Sequence, residues 1–310
     1  MVKLKFTTIS PLHISNGNEL SYNIEYIEKD ELFCKLDIQK ASKRYSDNKL
    51  FDFSKSYSFR DFIRIVDDKK HLLEKSDFIY RLESSSDFLY HLRNARADGL
   101  KIVKEFINNN GKFYIPASSI KGTLATILGK DSIGIDDSIR QKFVILDSSQ
   151  ILEESFSILR TYKGRPSLNL ICIKPFIDFE IEIRKLGDIS LNQLKESIVT
   201  YYKKQFDTAI KCVSEYIPQG KSDKESGAEI FLGQLYEYKR VMDEELNKDE
   251  YLINLGFGSG TYFKLFDFIT EIPTYFNSKT KRKEKPHTAF TFFDSEFIDP
   301  IGWCKLKIEE

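Results

Sequence analysis

Three stretches of this sequence combine residue types and spacing that could hold an anion. The first is Tyr114-Ile-Pro-Ala-Ser-Ser-Ile-Lys-Gly-Thr-Leu-Ala-Thr-Ile-Leu-Gly129. A strand over 112–115 should stop at Pro116, with Ser118 or Ser119 as N-cap and Ile120, Leu124, Ile127 and Leu128 as one apolar helix face closed by Gly129. The first turn of such a helix offers free backbone N–H groups, a serine hydroxyl and Lys121, while Gly122 permits close approach. That is chemistry for a phosphate, and equally the build of a well-capped helix. A Walker loop is excluded: Gly122 and Gly129 stand too far apart, and Asp131 follows Lys130 where Ser or Thr is needed.

The second stretch is Leu255-Gly-Phe-Gly-Ser-Gly-Thr-Tyr-Phe263, in which Gly256, Gly258 and Gly260 alternate around Ser259. Such a run permits unusual backbone angles and exposes N–H groups, which suits an anion-binding loop or a tight turn between strands. It lacks the GxGxxG spacing, and no acidic residue opening a βαβ unit follows it, so a dinucleotide site is not expected. The third is Lys279-Thr-Lys-Arg-Lys-Glu-Lys-Pro-His-Thr288, a basic run including Lys285 and His287 that suits a polyanion. Arg160, Lys163, Arg165 and Lys174 form another basic segment with no acid among them. Aromatic side chains near glycine or basic residues (Tyr114, Tyr162, Phe257, Tyr262, Phe263) could stack on unpaired bases or simply pack in a core.

Other chemistries lack their residues. The histidines, His13 among them, are dispersed; there is no HxH, HExxH or GxSxG, and the 4 cysteines lie far apart without a CxxC pair. No metal site and no cofactor is expected.

The elements that must position these residues are legible from pattern. The chain has 310 residues, 41% of them hydrophobic, which is enough for a core and excludes global disorder. Its formal net charge of zero excludes a histone-like polycation. The charge is segregated nonetheless, with basic residues dominating 101–130 (Glu105 the lone acid) and 279–285, and acids dominating 222–250. The longest apolar run, Leu168 to Phe179, is broken by Lys174, Pro175 and Asp178, and the opening residues alternate. The expectation is a cytoplasmic protein with no membrane partner. Strands are expected at the N-terminus, in a hairpin over 22–38, over 176–183 and at 303–308; a capping box at Ser190-Leu-Asn-Gln193 opens a long helix, and an acidic helix ends near Leu246. Residues 40–110 show helical spacing at Phe59, Phe62, Ile63 and Val66 and again at Phe88, Leu89 and Leu92, and are read as a helical insertion. The simplest architecture is α+β: two units with antiparallel sheets, the first over 1–165 and the second over 166–310.

Taken in order, Ile9-Ser-Pro-Leu-His-Ile-Ser-Asn-Gly17, Ile115-Pro-Ala-Ser-Ser-Ile-Lys-Gly122 and Leu255-Gly-Phe-Gly-Ser-Gly260 resemble the RAMP superfamily of CRISPR-associated RNA-binding proteins. The tail, Lys285-Pro-His-Thr288 followed by Pro300-Ile-Gly-Trp303, looks like the fifth-subunit family of type III-A (Csm) effector complexes. The resemblance covers nearly the whole chain, least over 40–110. Ala117 stands where such proteins often carry Gly, and Ala125 and Thr126 stand where a basic residue often follows.

The resemblance implies two ferredoxin-like (RRM-like) domains and a non-catalytic role. In that role the chain caps the backbone filament at the 3′ side of the crRNA, supports crRNA maturation by recruiting cellular nucleases, and contacts target RNA and other Csm subunits. RNA would be held by Ser118, Ser119, Lys121, Gly122, Gly256, Gly258, Ser259, Gly260, Lys285, His287, His13, Arg160, Lys163 and Arg165. The family also contains metal-independent endoribonucleases, for which His13, Tyr22 or His287 with a neighbouring lysine would supply acid–base chemistry at a 2′-OH. A third reading is an assembly protein that meets only neighbouring subunits through its acidic 222–250 face.

Overall fold

The computed structural model describes residues 2–49, 59–94, 101–128, 143–162, 166–216, 227–246, 248–256, 275–277, 282–284, 292–293 and 299–309. Two sheets enclose a shared apolar core. The smaller has the order β13 (Glu250–Asn254), β18 (Trp303–Glu309), β1 (Val2–Thr8), β12 (Asp178–Lys185), β9 (Val144–Ile145), antiparallel throughout. Alternation dictates its centre. Leu4 and Phe6 of β1 are buried, Phe6 stacking on its register partner Phe179 at 4.9 Å, while Lys3 and Lys5 point outward toward Glu180 and Glu309. The open face therefore carries facing lysines and carboxylates and, among the described residues, no exposed aromatic row of the kind that stacks bases.

The larger sheet runs β2 (Ser15–Leu20), β6 (Val103–Phe106), β11 (Pro166–Ile173), β10 (Phe156–Tyr162), β5 (Phe78–Ser84), β4 (Leu32–Leu36), β3 (Tyr26–Lys29), and β16 (Phe292–Phe293) and β17 (Asp299–Pro300) attach beside β10. Hairpins β7 (Asn108–Asn109) with β8 (Lys112–Phe113), and β14 (Tyr275–Asn277) with β15 (Arg282–Glu284), stand apart. This sheet is mixed where an antiparallel one is expected, because β5 pairs parallel to β10 and β6 parallel to β11.

Residues 40–110 differ from the expected helical insertion. They hold helices α2 (Phe59–Lys69) and α3 (Ser86–Asn94), as the spacing predicts, and also most of α1 (Ile38–Asp47). They also supply β5 and β6, two interior strands of the larger sheet, so the region is part of the framework. The expected boundary at 165/166 falls in the β10–β11 hairpin, and the smaller sheet draws β1 from the start of the chain and β18 from its end. The two sheets thus do not correspond to two halves of the sequence.

Helices α4 (Ala117–Leu128), α5 (Leu191–Tyr216) and α6 (Gly227–Leu246) add Ile120, Leu124, Leu194, Ile198, Leu235 and Met242 to the core. The Ser190 capping box opens α5 as the sequence predicts: Gln193 N–H donates to Ser190 Oγ at 3.2 Å and Ser190 N–H to Gln193 Oε1 at 2.9 Å. Tyr202, Phe206 and Tyr238 surround the Trp303 ring at 5.1–5.6 Å. No helix among the described residues is long and apolar enough to cross a membrane.

Candidate nucleic-acid interface

The helix expected after Pro116 forms, but its cap is not the expected serine. It starts at Ala117, which leaves Ser118 and Ser119 inside the first turn, with Ser118 exposed. The capping group comes from Asp147, whose Oδ1 accepts from Ala117 N–H at 2.7 Å. Beside it, Ile115 N–H donates to Ser148 Oγ at 2.8 Å and Ser148 N–H donates to Ile115 O at 2.9 Å, locking strand end to cap. Lys121 is half-buried on the first turn. At Gly122 a Cβ would meet nothing within 4 Å, so no packing among the described residues requires a glycine there. A mid-helix glycine without a steric reason leaves bare backbone that a ligand could approach.

The other motif segments are drawn together by backbone bonds. Leu255 N–H donates to Gly302 O at 2.7 Å, Gly302 N–H to Pro11 O at 2.8 Å, and Ile9 N–H to Trp303 O at 2.9 Å, while Trp303 N–H donates to Ser10 Oγ at 2.8 Å. Both glycines at this junction are obligatory. Gly256 has φ +78° and a Cβ there would lie 2.3 Å from His13 O; Gly302 has φ +87° and a Cβ would lie 2.2 Å from Leu255 O. Residues 9–13, 255–256 and 301–303 therefore form one interlocked junction from which the glycine-rich run departs. Gly258, Ser259, Gly260, Lys163, Arg165, Lys285 and His287 lie outside the described residues.

Two expected contact residues are not on the surface. His13 is fully buried, with Nδ1 donating to Ile171 O at 2.7 Å and its ring edge-on to Phe106. Burial brings its pKa down to about 4, so the imidazole is neutral and serves the core. Arg160, on β10, is only 3% exposed. Both side chains are thus withdrawn from the surface that an RNA strand would meet. Tyr22 offers no base either: burial, with Asp67 beside it, pushes its phenol well up.

The residue that sequence reasoning passes over is Glu105, the single acid in the basic 101–130 stretch. It is buried on β6 and accepts from Tyr80 Oη at 2.8 Å, Asn16 Nδ2 at 2.8 Å and Asn18 Nδ2 at 3.1 Å, with Lys35 Nζ at 3.5 Å. Burial alone would raise its carboxyl pKa, but these donors and Lys35 outweigh it and hold the pKa below the usual range. Its oddity of charge is the only signal the sequence offers. Glu105 anchors Asn16 and Asn18 of β2, where the register against β6 shifts between Ser15 and Glu19. No group of three or more His, Cys, Asp or Glu among the described residues could hold a metal ion.

The chain is 29% identical, over its whole length and 89% of the relative, to "CRISPR system Cms protein Csm5" of Methanocaldococcus jannaschii. Its fold resembles a chain in the "Cryo-EM structure of Csm-crRNA-target RNA ternary complex in type III-A CRISPR-Cas system" (TM-score 0.65, 15% identity, 99% of this chain and 100% of that one). It also resembles the "Crystal structure of T.onnurineus Csm5" (TM-score 0.55, 16% identity, 97% and 99%). At that identity the likeness concerns the fold. Residues 5–264 match the family model described as "RAMPs: RAMP superfamily", a span that contains the Ile9–Gly17, Ile115–Gly122 and Leu255–Gly260 motifs, and the chain belongs to the RAMP superfamily.

Proposed function

We propose that this protein is a non-catalytic crRNA-binding subunit of a type III-A Csm ribonucleoprotein, capping the filament at the 3′ side of the crRNA and supporting its maturation. The observation that carries the reading is the junction of residues 9–13, 255–256 and 301–303, which brings family motifs from both ends of the chain to one place and launches the glycine-rich run. The M. jannaschii relative, named as a Csm5, supports the assignment to this complex. Its partners in this reading are crRNA, target RNA, the other Csm subunits and cellular nucleases. Its two RRM-like units are the two sheets with their helices, the smaller with α4, α5 and α6 and the larger with α1, α2 and α3, in place of the sequential halves 1–165 and 166–310.

Phosphates are held here by backbone. Ser118, Ser119, Lys121 and Gly122 on α4 and the Gly256–Gly260 run supply N–H donors and one ammonium, with Lys285, His287, Lys163 and Arg165 adding charge. His13 and Arg160 position the framework from inside. Base identity is left to pairing between guide and target.

The test is a salt titration of crRNA binding. Lys121→Ala should weaken binding about equally for all RNA sequences and reduce the salt slope by about one charge. An unchanged slope would remove α4 from the interface. Metal-independent cleavage of a repeat-containing RNA in EDTA, by protein free of contaminating nuclease, would instead establish the endoribonuclease reading.

A further inference from the structure

Phe176 joins two properties that oppose each other in an isolated chain. Its φ is +64°, in the left-handed region that a bulky aromatic residue rarely enters, and it is 79% exposed, the most of any large hydrophobic residue among those described. Glycine or asparagine would adopt this turn more readily, and a solvated ring gains little from its own chain.

The conformation is imposed by Thr8, which is fully buried at the end of β1. Thr8 O accepts from Phe176 N–H at 2.6 Å, and Thr8 N–H donates to Ile177 O at 3.0 Å. Its hydroxyl donates to Lys174 O at 2.7 Å and accepts from Ile177 N–H at 2.9 Å. On the other side Lys174 N–H donates to Ser155 O at 2.8 Å, and the Lys174 ammonium pairs with Glu83 at 2.6 Å. One threonine thus grips the turn before and after Phe176, and the ring is presented on a fixed base. Strain this thoroughly over-determined is a reason to look for a role outside the chain.

The charge around the ring indicates which role. Asp178 and Glu180 follow on β12, both exposed, with Lys3 and Lys5 reaching Glu180; Glu83 takes the charge of Lys174; and Glu153 and Glu154, both exposed, precede Ser155, so that acids outnumber bases around the turn. An RNA backbone is repelled by such a rim, so the ring is poorly placed to stack on a base. We propose that Phe176 is a docking knob that inserts into an apolar pocket, rimmed by lysine or arginine, on a neighbouring protein subunit. A pre-ordered aromatic anchor inside a ring of complementary charge is the composition of an interface hot spot. This inference rests on the reading of the chain as a subunit of a ribonucleoprotein complex.

The test uses the complex co-expressed with all its subunits and guide RNA, with wild-type chain or Phe176→Asn, a residue that accepts left-handed backbone. The isolated variant should melt at or above the wild-type temperature and bind crRNA equally well, yet enter the complex about tenfold more weakly. Equal incorporation of variant and wild type would overturn the knob while leaving the functional reading intact. A clear drop in melting temperature would make the ring a folding element, and a loss of crRNA affinity would make it a base platform; either overturns the proposal. If the wild-type chain itself fails to enter the complex, the functional reading falls and takes this inference with it.

Discussion

The carboxylate of Asp147 faces the backbone N–H of Ala117 at 2.7 Å, so the positive end of α4 already looks onto a negative charge of the chain's own. Replacing Asp147 with Ala should cost about 1 kcal/mol of stability, the ordinary worth of a helix cap, read by urea denaturation. Asp147→Asn keeps an acceptor without the charge. It should hold most of the stability and bind RNA more tightly than wild type at low salt, because one repulsion beside Ser118 and Lys121 is gone. Anisotropy titrations of both proteins at two salt concentrations check this.

Gly122 and Gly256 should respond oppositely to alanine. At Gly122 the helix has open space, and Gly122→Ala should stabilise the isolated protein by about 0.5–1 kcal/mol while weakening its hold on RNA. At Gly256 a Cβ would lie 2.3 Å from His13 O on left-handed backbone, and Gly256→Ala should cost about 3 kcal/mol or more. Denaturation midpoints paired with RNA affinities separate the two. If Gly122→Ala binds as tightly as wild type, that glycine has no role toward RNA.

His13 makes stability fall on the acid side. An unfolded imidazole takes its proton near pH 6.5, whereas the buried ring resists protonation until about pH 4. Between those values the unfolded chain binds more protons, so stability is full above pH 6.5 and declines as pH drops toward 4. Nitrogen-15 shifts of the His13 ring should report a neutral imidazole at pH 5.5. A midpoint near 6.5 would contradict the burial.

Glu105 collects Asn16, Asn18, Tyr80 and Lys35, and Glu105→Gln would leave the partly buried Lys35 ammonium without its counter-charge. The expected loss is about 2–4 kcal/mol by thermal or urea unfolding. A loss under 0.5 kcal/mol would mean that Lys35 simply turns to solvent.

Much of this framework is legible from period alone. β1, β12, α5 and the final strand follow from apolar positions spaced at two or at three and four. β5 carries the same signal in Phe78, Tyr80 and Leu82, but it lies between the helical spacings of 59–66 and 88–92, so a reading by region absorbs it into helices. The parallel pairings of β5 and β6 have no local signature at all, since each joins strands more than sixty residues apart. The site divides in the same way. Glycines at 256 and 302 announce a tight junction, and the structure supplies the carbonyls that demand them. Asp147 and Glu105 escape because each acts on residues far away in sequence, 30 positions from Ala117 in one case and 89 from Asn16 in the other. His13 misleads because type suggests chemistry, while its neighbours Leu12 and Ile14, both buried, indicate the core.

Strand β18 lies between β13 and β1, pairing Thr8 with Cys304 on one side and Ile253 with Cys304 on the other. A ribosome therefore delivers the keystone of the smaller sheet last. Until it arrives, the nascent chain carries β1 and β13 with a strand-wide slot between them and backbone donors and acceptors open on both sides of it. The slot also lacks Trp303, around which Tyr202, Phe206 and Tyr238 close. Arrest of synthesis shortly before residue 303 should leave a protease-sensitive, chaperone-binding intermediate. Because the same strand brings Gly302 to Leu255 and Pro11, the motif junction and the sheet are completed in one late event.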